Sequence, residues 1–171
     1  MKRFLFVFLF MAIQVCVFGQ WKVKVDDDGF DRSVTATVIA NDYDFAVQAA
    51  LVELEGKVVL GLRTDLHFSS LFNEIKITFK IPNGKKEYTI TGVSIDDSPS
   101  LVLIPDSDSF GETGSSLMKG NFLTDFKQAS LMKMEVSYDK KYDGYSYKSW
   151  KTYIFNMEGS ANAYNRVKTQ Q

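Results

Sequence analysis

Cysteine is almost missing from this chain: 171 residues hold one, Cys16, and it lies in the apolar run that opens the sequence. If that run is removed no thiol remains, so neither a disulfide framework nor a thiol nucleophile is available. Histidine is equally scarce. His67 stands alone, and one histidine without a cysteine cannot assemble the usual zinc set. Nor does Asp65-Leu66-His67 match a catalytic spacing. Proline occurs three times against an aromatic content of 14%, which argues against disorder. Charge of one sign is also lacking: 20 basic against 21 acidic residues give net −1. Nucleic acid is therefore not expected as a partner, because phosphate binding needs a basic excess. No Gly-x-Ser-x-Gly elbow is present, and Gly111-Glu112-Thr113-Gly114 lacks the Lys and Ser/Thr that complete a phosphate loop.

Only one long hydrophobic run exists. Met1 to Gly19 reads MKRFLFVFLFMAIQVCVFG, with Lys2 and Arg3 ahead of an apolar stretch from Phe4 to Phe18. As a helix that stretch spans roughly 22 Å, short of a ~30 Å hydrocarbon core. Val17 and Gly19 occupy the −3 and −1 positions of a signal-peptidase site, so residues 1–19 are expected to leave as a secretory signal. Val15 stands where a lipidation signal needs a small residue before Cys16, and a lipoprotein is not expected. The expected mature chain, residues 20–171, carries 18 basic and 21 acidic groups, net −3. Its seven asparagines include no glycosylation sequon. The expected location is a bacterial cell envelope, periplasmic or secreted, with no transmembrane segment after cleavage.

Past Gln20 the hydrophobic period is two more often than 3.6, which predicts strands. Trp21, Val23 and Val25 alternate with lysines, and Val34, Ala36 and Val38 alternate with threonines. Phe45 to Glu55 fits either a strand or a short helix, and Glu55-Gly56 turns it into a strand from Lys57 to Arg63. Asn83-Gly84 divides two alternating runs between Glu74 and Ile95. As a two-residue loop it would pair Phe79 with Tyr88 and Ile77 with Ile90. Asp143-Gly144 divides a second pair, setting Met134 against Tyr153, Met132 against Phe155 and Tyr142 against Tyr145. Leu101 to Ile104 is a short strand closed by Pro105. Met118, Phe122, Phe126 and Ala129 share a helical face over about 115–129, with Gly120 inside it at ~1 kcal/mol relative to alanine. Ser160 is placed to N-cap a terminal helix carrying Ala161, Tyr164 and Val167. The fold class expected is mainly β, an antiparallel β-sandwich of eight or nine strands in one domain, with a barrel as its rival.

Chemistry is harder to find than fold. Asp26, Asp28 and Asp31 crowd one turn, and Asp106 and Asp108 another, but neither has the spacing of a calcium loop. Aspartate favours turns for its own hydrogen-bonding reasons. The 21 acids permit many carboxylate pairs, and nothing singles out two for glycoside hydrolysis. No catalytic residue, metal site or cofactor is expected, and the chain reads as a non-enzyme. Its most unusual feature is aromatic. Tyr138, Tyr142, Tyr145, Tyr147, Trp150 and Tyr153 gather on the Asp143-Gly144 hairpin, and Tyr142, Tyr145, Tyr147 and Trp150 are the candidate binding residues. Such rings present flat amphipathic area to proteins or glycans at little entropy cost. Tyrosine is also simply a good strand residue. A protein-interaction surface is the first expectation, a carbohydrate-binding module the second, and a barrel around an apolar ligand the third.

Two segments carry a family resemblance: Trp21-Lys22-Val23 at the start, and Phe155-Asn156-Met157-Glu158-Gly159-Ser160-Ala161-Asn162-Ala163 near the end. Here the chain resembles small exported β-sandwich proteins of the invasion-associated locus B kind. The resemblance implies a last strand running through a glycine-containing turn into a terminal helix. It implies no catalytic residue.

Overall fold

The structure is a computed structural model, which describes residues 20–27, 32–41, 47–54, 56–66, 72–94, 100–104, 117–142 and 144–169. The leader with Cys16, His67, Asp28, Asp31, Asp106, Asp108 and the Gly111–Gly114 stretch lie outside the described residues. The mainly β, antiparallel expectation holds. The strands are β1 (Lys22–Asp27), β2 (Arg32–Ile39), β3 (Gln48–Leu54), β4 (Lys57–Arg63), β5 (Phe72–Ile81), β6 (Gly84–Ser94), β7 (Ser100–Ile104), β8 (Leu131–Tyr142) and β9 (Tyr145–Asn156). Among the described residues two helices accompany them, α1 (Gly120–Gln128) and α2 (Ser160–Thr169).

All nine strands belong to one hydrogen-bonded sheet in the order β1-β2-β3-β4-β7-β6-β5-β8-β9. It has two arms, β1–β4 and β7-β6-β5-β8-β9, joined where β4 and β7 pair through Gly61↔Val102, Leu62↔Leu101 and Arg63↔Ser100. The arms meet again at the far side, where the Asn41 N–H donates to the Ile154 carbonyl at 2.7 Å. The expected sandwich is thus built from one sheet whose two arms approach each other at β2 and β9. Alternation does the rest, because every second residue points to the same face. Val34, Ala36, Val38, Leu51, Leu60, Ile75, Ile77, Phe79, Met132, Met134 and Phe155 are all buried on it in one core.

Both helices pack on that face. α2 lies against β1 to β4, and α1 lies against β5 and α2. The expected residues turn inward: Phe122 and Phe126 of α1 are buried, as are Met118 before the helix and Ala129 after it. Phe126 meets Trp21 and Phe79 edge-on, with ring centroids 5.8 and 6.1 Å apart. Burying a ring of that size stabilises the fold by ~1.5–3 kcal/mol. Gly120 begins this helix with φ +54 rather than sitting inside it, so the expected interior penalty does not arise. Ser160 is the first residue of α2, and its hydroxyl donates to the Phe126 carbonyl at 3.0 Å. The expected N-cap is therefore a tie to the end of α1. Tertiary packing of the two helix ends redirects it.

The segment open to strand or helix is strand β3, paired through its length with β4. The β8–β9 hairpin has the expected register, with Met134↔Tyr153, Met132↔Phe155 and Tyr142↔Tyr145. The β5–β6 hairpin does not. Ile81 pairs with Gly84, Ile77 with Tyr88, Ile75 with Ile90 and Phe79 with Lys86, so the loop is Pro82-Asn83 rather than Asn83-Gly84. Proline supplies the cause: its locked φ suits the first central position of a turn, and it has no N–H for the ladder. The shift is two residues, so every side chain keeps its face. Phe79 and Tyr88 still touch as diagonal neighbours, centroids 5.9 Å apart.

Candidate functional site

The candidate residues lie on the hairpin that ends the sheet. β8 pairs with β5 only from Leu131 to Val136, whereas its pairing with β9 continues to Tyr142↔Tyr145. The outer half of the hairpin has therefore left its ladder with β5, and it is closed by a turn in which Gly144 has φ +80. That positive φ suits glycine and strains other residues.

Strand parity splits the aromatics between two faces. Tyr145 and Tyr147 have the parity of Tyr153 and Phe155, which are fully buried, yet they are 78% and 46% exposed. They sit beyond the end of the core. Trp150 and Ile154 point to the other, outer face, each 40% exposed. The Lys76 ammonium stands 4.5 Å from the centroid of the Trp150 ring and meets its π face. Tyr138 is half-buried against the core. Tyr142 lies opposite Tyr145 in the ladder, and its side chain falls outside the described set. The four candidate residues share one hairpin but not one face.

Further down β9 the core-side face carries a polar cluster that sequence reasoning missed. Asp65, just past β4, accepts a hydrogen bond from the Tyr153 hydroxyl at 2.8 Å and an ion pair from Lys151. Burial alone would raise the Asp65 carboxyl. The hydrogen bonds from Lys151, Tyr153 and its own backbone, with the lysine charge, outweigh that and hold it below the usual carboxylate range. The cluster ties the end of β4 to β9, near the Asn41–Ile154 bond that closes the arms. Its partners are 86 and 88 residues apart, so no local signal could announce it.

A second missed pair lies at the helix. The Tyr88 hydroxyl donates to Asp125 of α1 at 2.5 Å, beside the Phe79 and Phe122 rings. Burial, then the Asp125 hydrogen bond and charge, push the Tyr88 phenol up to about 12. Trp21 is 2% exposed, and its Nε1–H has no partner among the described residues. The three His, Cys, Asp or Glu side chains that hold a metal ion do not come together among the described residues. None of the described helices is long and apolar enough to cross a membrane.

These features define a class by architecture: a mainly-β protein whose described strands form one antiparallel sheet, with two described helices packed on it and an aromatic hairpin at its end. One solved structure that shares the fold is invasion associated protein B from Bartonella henselae, with a TM-score of 0.55. The match covers 90% of this chain and 93% of that one at 11% sequence identity, a likeness of fold alone. No protein-family model matches the chain, and neither does any curated protein.

Proposed function

We propose that this chain is an exported protein of a bacterial cell envelope that works by binding a protein partner through the β8–β9 hairpin, not by catalysis. The observation that carries the reading is the exposure of Tyr145, Tyr147 and Trp150 on a hairpin whose pairing continues after its ladder with β5 has stopped. Exposed tyrosine and tryptophan are the residue types that dominate binding energy at interfaces. Because the rings occupy both faces, a partner that grips the hairpin from two sides uses all three. The leader at residues 1–19 supports export.

The glycan reading rests on a narrower feature. Tyr145 and Tyr147 share one face, roughly 7 Å apart along the strand, a spacing suited to stacking on a sugar chain. Trp150 cannot join that platform, since it faces away with Lys76 over its ring. The protein reading is the better supported of the two.

The test is a photo-crosslinking residue at position 147 in cells producing the exported protein, with a glycan array run in parallel. A saturable protein adduct that disappears in Tyr145→Ala and weakens in Trp150→Ala supports the proposal. Both replacements should melt within ~1 kcal/mol of the parent, because exposed strand positions lose only β propensity. Glycan binding lost in Tyr145→Ala but untouched in Trp150→Ala, with no protein adduct, would replace the reading with a carbohydrate-binding module.

A further inference from the structure

We infer that Gln20, once it becomes the first residue, closes on itself to pyroglutamate and seals the chain end. The inference rests on the export reading above, with cleavage after Gly19. The ordered core begins one residue later. Trp21 is 2% exposed, its ring edge-on to Phe126 at 5.8 Å, and Lys22 enters the ladder opposite Thr37. Gln20 itself is exposed. Cleavage after Gly19 would free an α-amine on this same exposed residue, so the two reacting groups would belong to one side chain and its own backbone.

The chemistry needs no co-reactant. An α-amine titrates near ~7.7–8.0, so part of it is neutral and nucleophilic at the pH of an envelope compartment. Its nitrogen attacks Cδ of the same residue and forms a C–N bond that closes a five-membered lactam. The Cδ–Nε2 bond breaks, and Nε2 leaves as ammonia with the proton released by the amine. No atom changes oxidation state. The product has lost the terminal positive charge and offers no free amine. An exopeptidase that needs a free amine then has no entry point, and the residue so protected is Trp21, which seats β1 on the core. Trimming to Trp21 would leave a charged ammonium on a residue buried at 2% exposure.

The experiment takes the full exported protein from its host envelope, labels all free amines at the moment of lysis, and maps the first peptide by mass spectrometry. The expected result is a peptide beginning at residue 20, unlabelled, and lighter by one ammonia than the linear form. It should resist stepwise degradation until a pyroglutamate-removing peptidase is added. Gln20→Ala, processed at the same bond, should be fully labelled and lose its first residues to a broad aminopeptidase that leaves the parent intact. A peptide beginning at Gln20 that carries the label overturns the inference and leaves the export reading standing. A chain that starts elsewhere overturns the inference and the cleavage site together, and one that still carries Met1 removes the export reading as well.

Discussion

Gly92 is the position at which the folded sheet can be tested most sharply. It lies on β6, opposite Asn73 of β5 and Leu103 of β7, on the buried face. A Cβ placed there would stand 2.6 Å from Ile75 Cδ1 and 3.2 Å from Leu101 Cδ1. Both distances are well inside the ~3.5–4.0 Å at which carbon atoms pack comfortably. The close approach, not an unusual φ, is what requires glycine. Gly92→Ala should therefore destabilise by ~1–3 kcal/mol through overpacking, offset by ~0.4–1 kcal/mol from the stiffer unfolded chain. Ile75→Val removes the Cδ1 atom in the way and alone should cost ~0.5–1.5 kcal/mol. In the double variant the added methyl occupies the space that Cδ1 vacates. The pair should then be less destabilised than the sum of the singles by ~1 kcal/mol. Urea unfolding followed by tryptophan fluorescence measures all four corners, provided the slope with denaturant stays constant. Additivity within ~0.3–0.5 kcal/mol, or a neutral Gly92→Ala, would refute the packing of β5, β6 and β7 on which this reasoning stands.

Raising the pH tests the Tyr88–Asp125 pair. An unfolded phenol ionises near ~10 while the folded one is held neutral up to about 12, so the contribution is complete below ~10 and declines as pH climbs between the two. Its ceiling is ~2–3 kcal/mol, less the screening of a part-exposed ring, and Tyr88→Phe should flatten that limb of a stability–pH curve. At the acid end the sign is the opposite. Asp65 is held below its ordinary 3.8, so its contribution is present above that value and lost as pH falls below it; Asp65→Asn should remove that acid limb. Trp21→Phe should cost at most ~1.5 kcal/mol, because the indole N–H it deletes has no partner among the described residues, against ~3–5 kcal/mol for Trp21→Ala. Equal losses in the two would show that the Nε1–H is bonded after all.

Much of the local structure was legible because it depends on period and turn chemistry alone. The β8–β9 register follows from Asp143-Gly144 standing between two unbroken alternating runs. The inward face of α1 follows from Phe122 and Phe126, in register with Met118 before it and Ala129 after it. The β5–β6 register lies two residues from the one Asn83-Gly84 alone implies, because Pro82 before it takes the first turn position, while the faces are unchanged, since faces repeat every second residue.

Strand order lay beyond local reasoning. β7 enters between β4 and β6, and its pairing with β4 makes one sheet of the two arms; no periodicity within a strand names its neighbour. The Asp65–Lys151–Tyr153 cluster exists only because that sheet folds over and brings the end of β4 to β9. The candidate site shows the division most plainly. Tyr145, Tyr147 and Tyr153 are the same residue type at the same parity of one strand, and by sequence nothing separates them. Parity settles which face a side chain takes; whether anything covers that face depends on elements far away in the chain. The core buries Tyr153 and stops short of Tyr147 and Tyr145, so only the tertiary structure decides which of these rings is buried and which is left exposed.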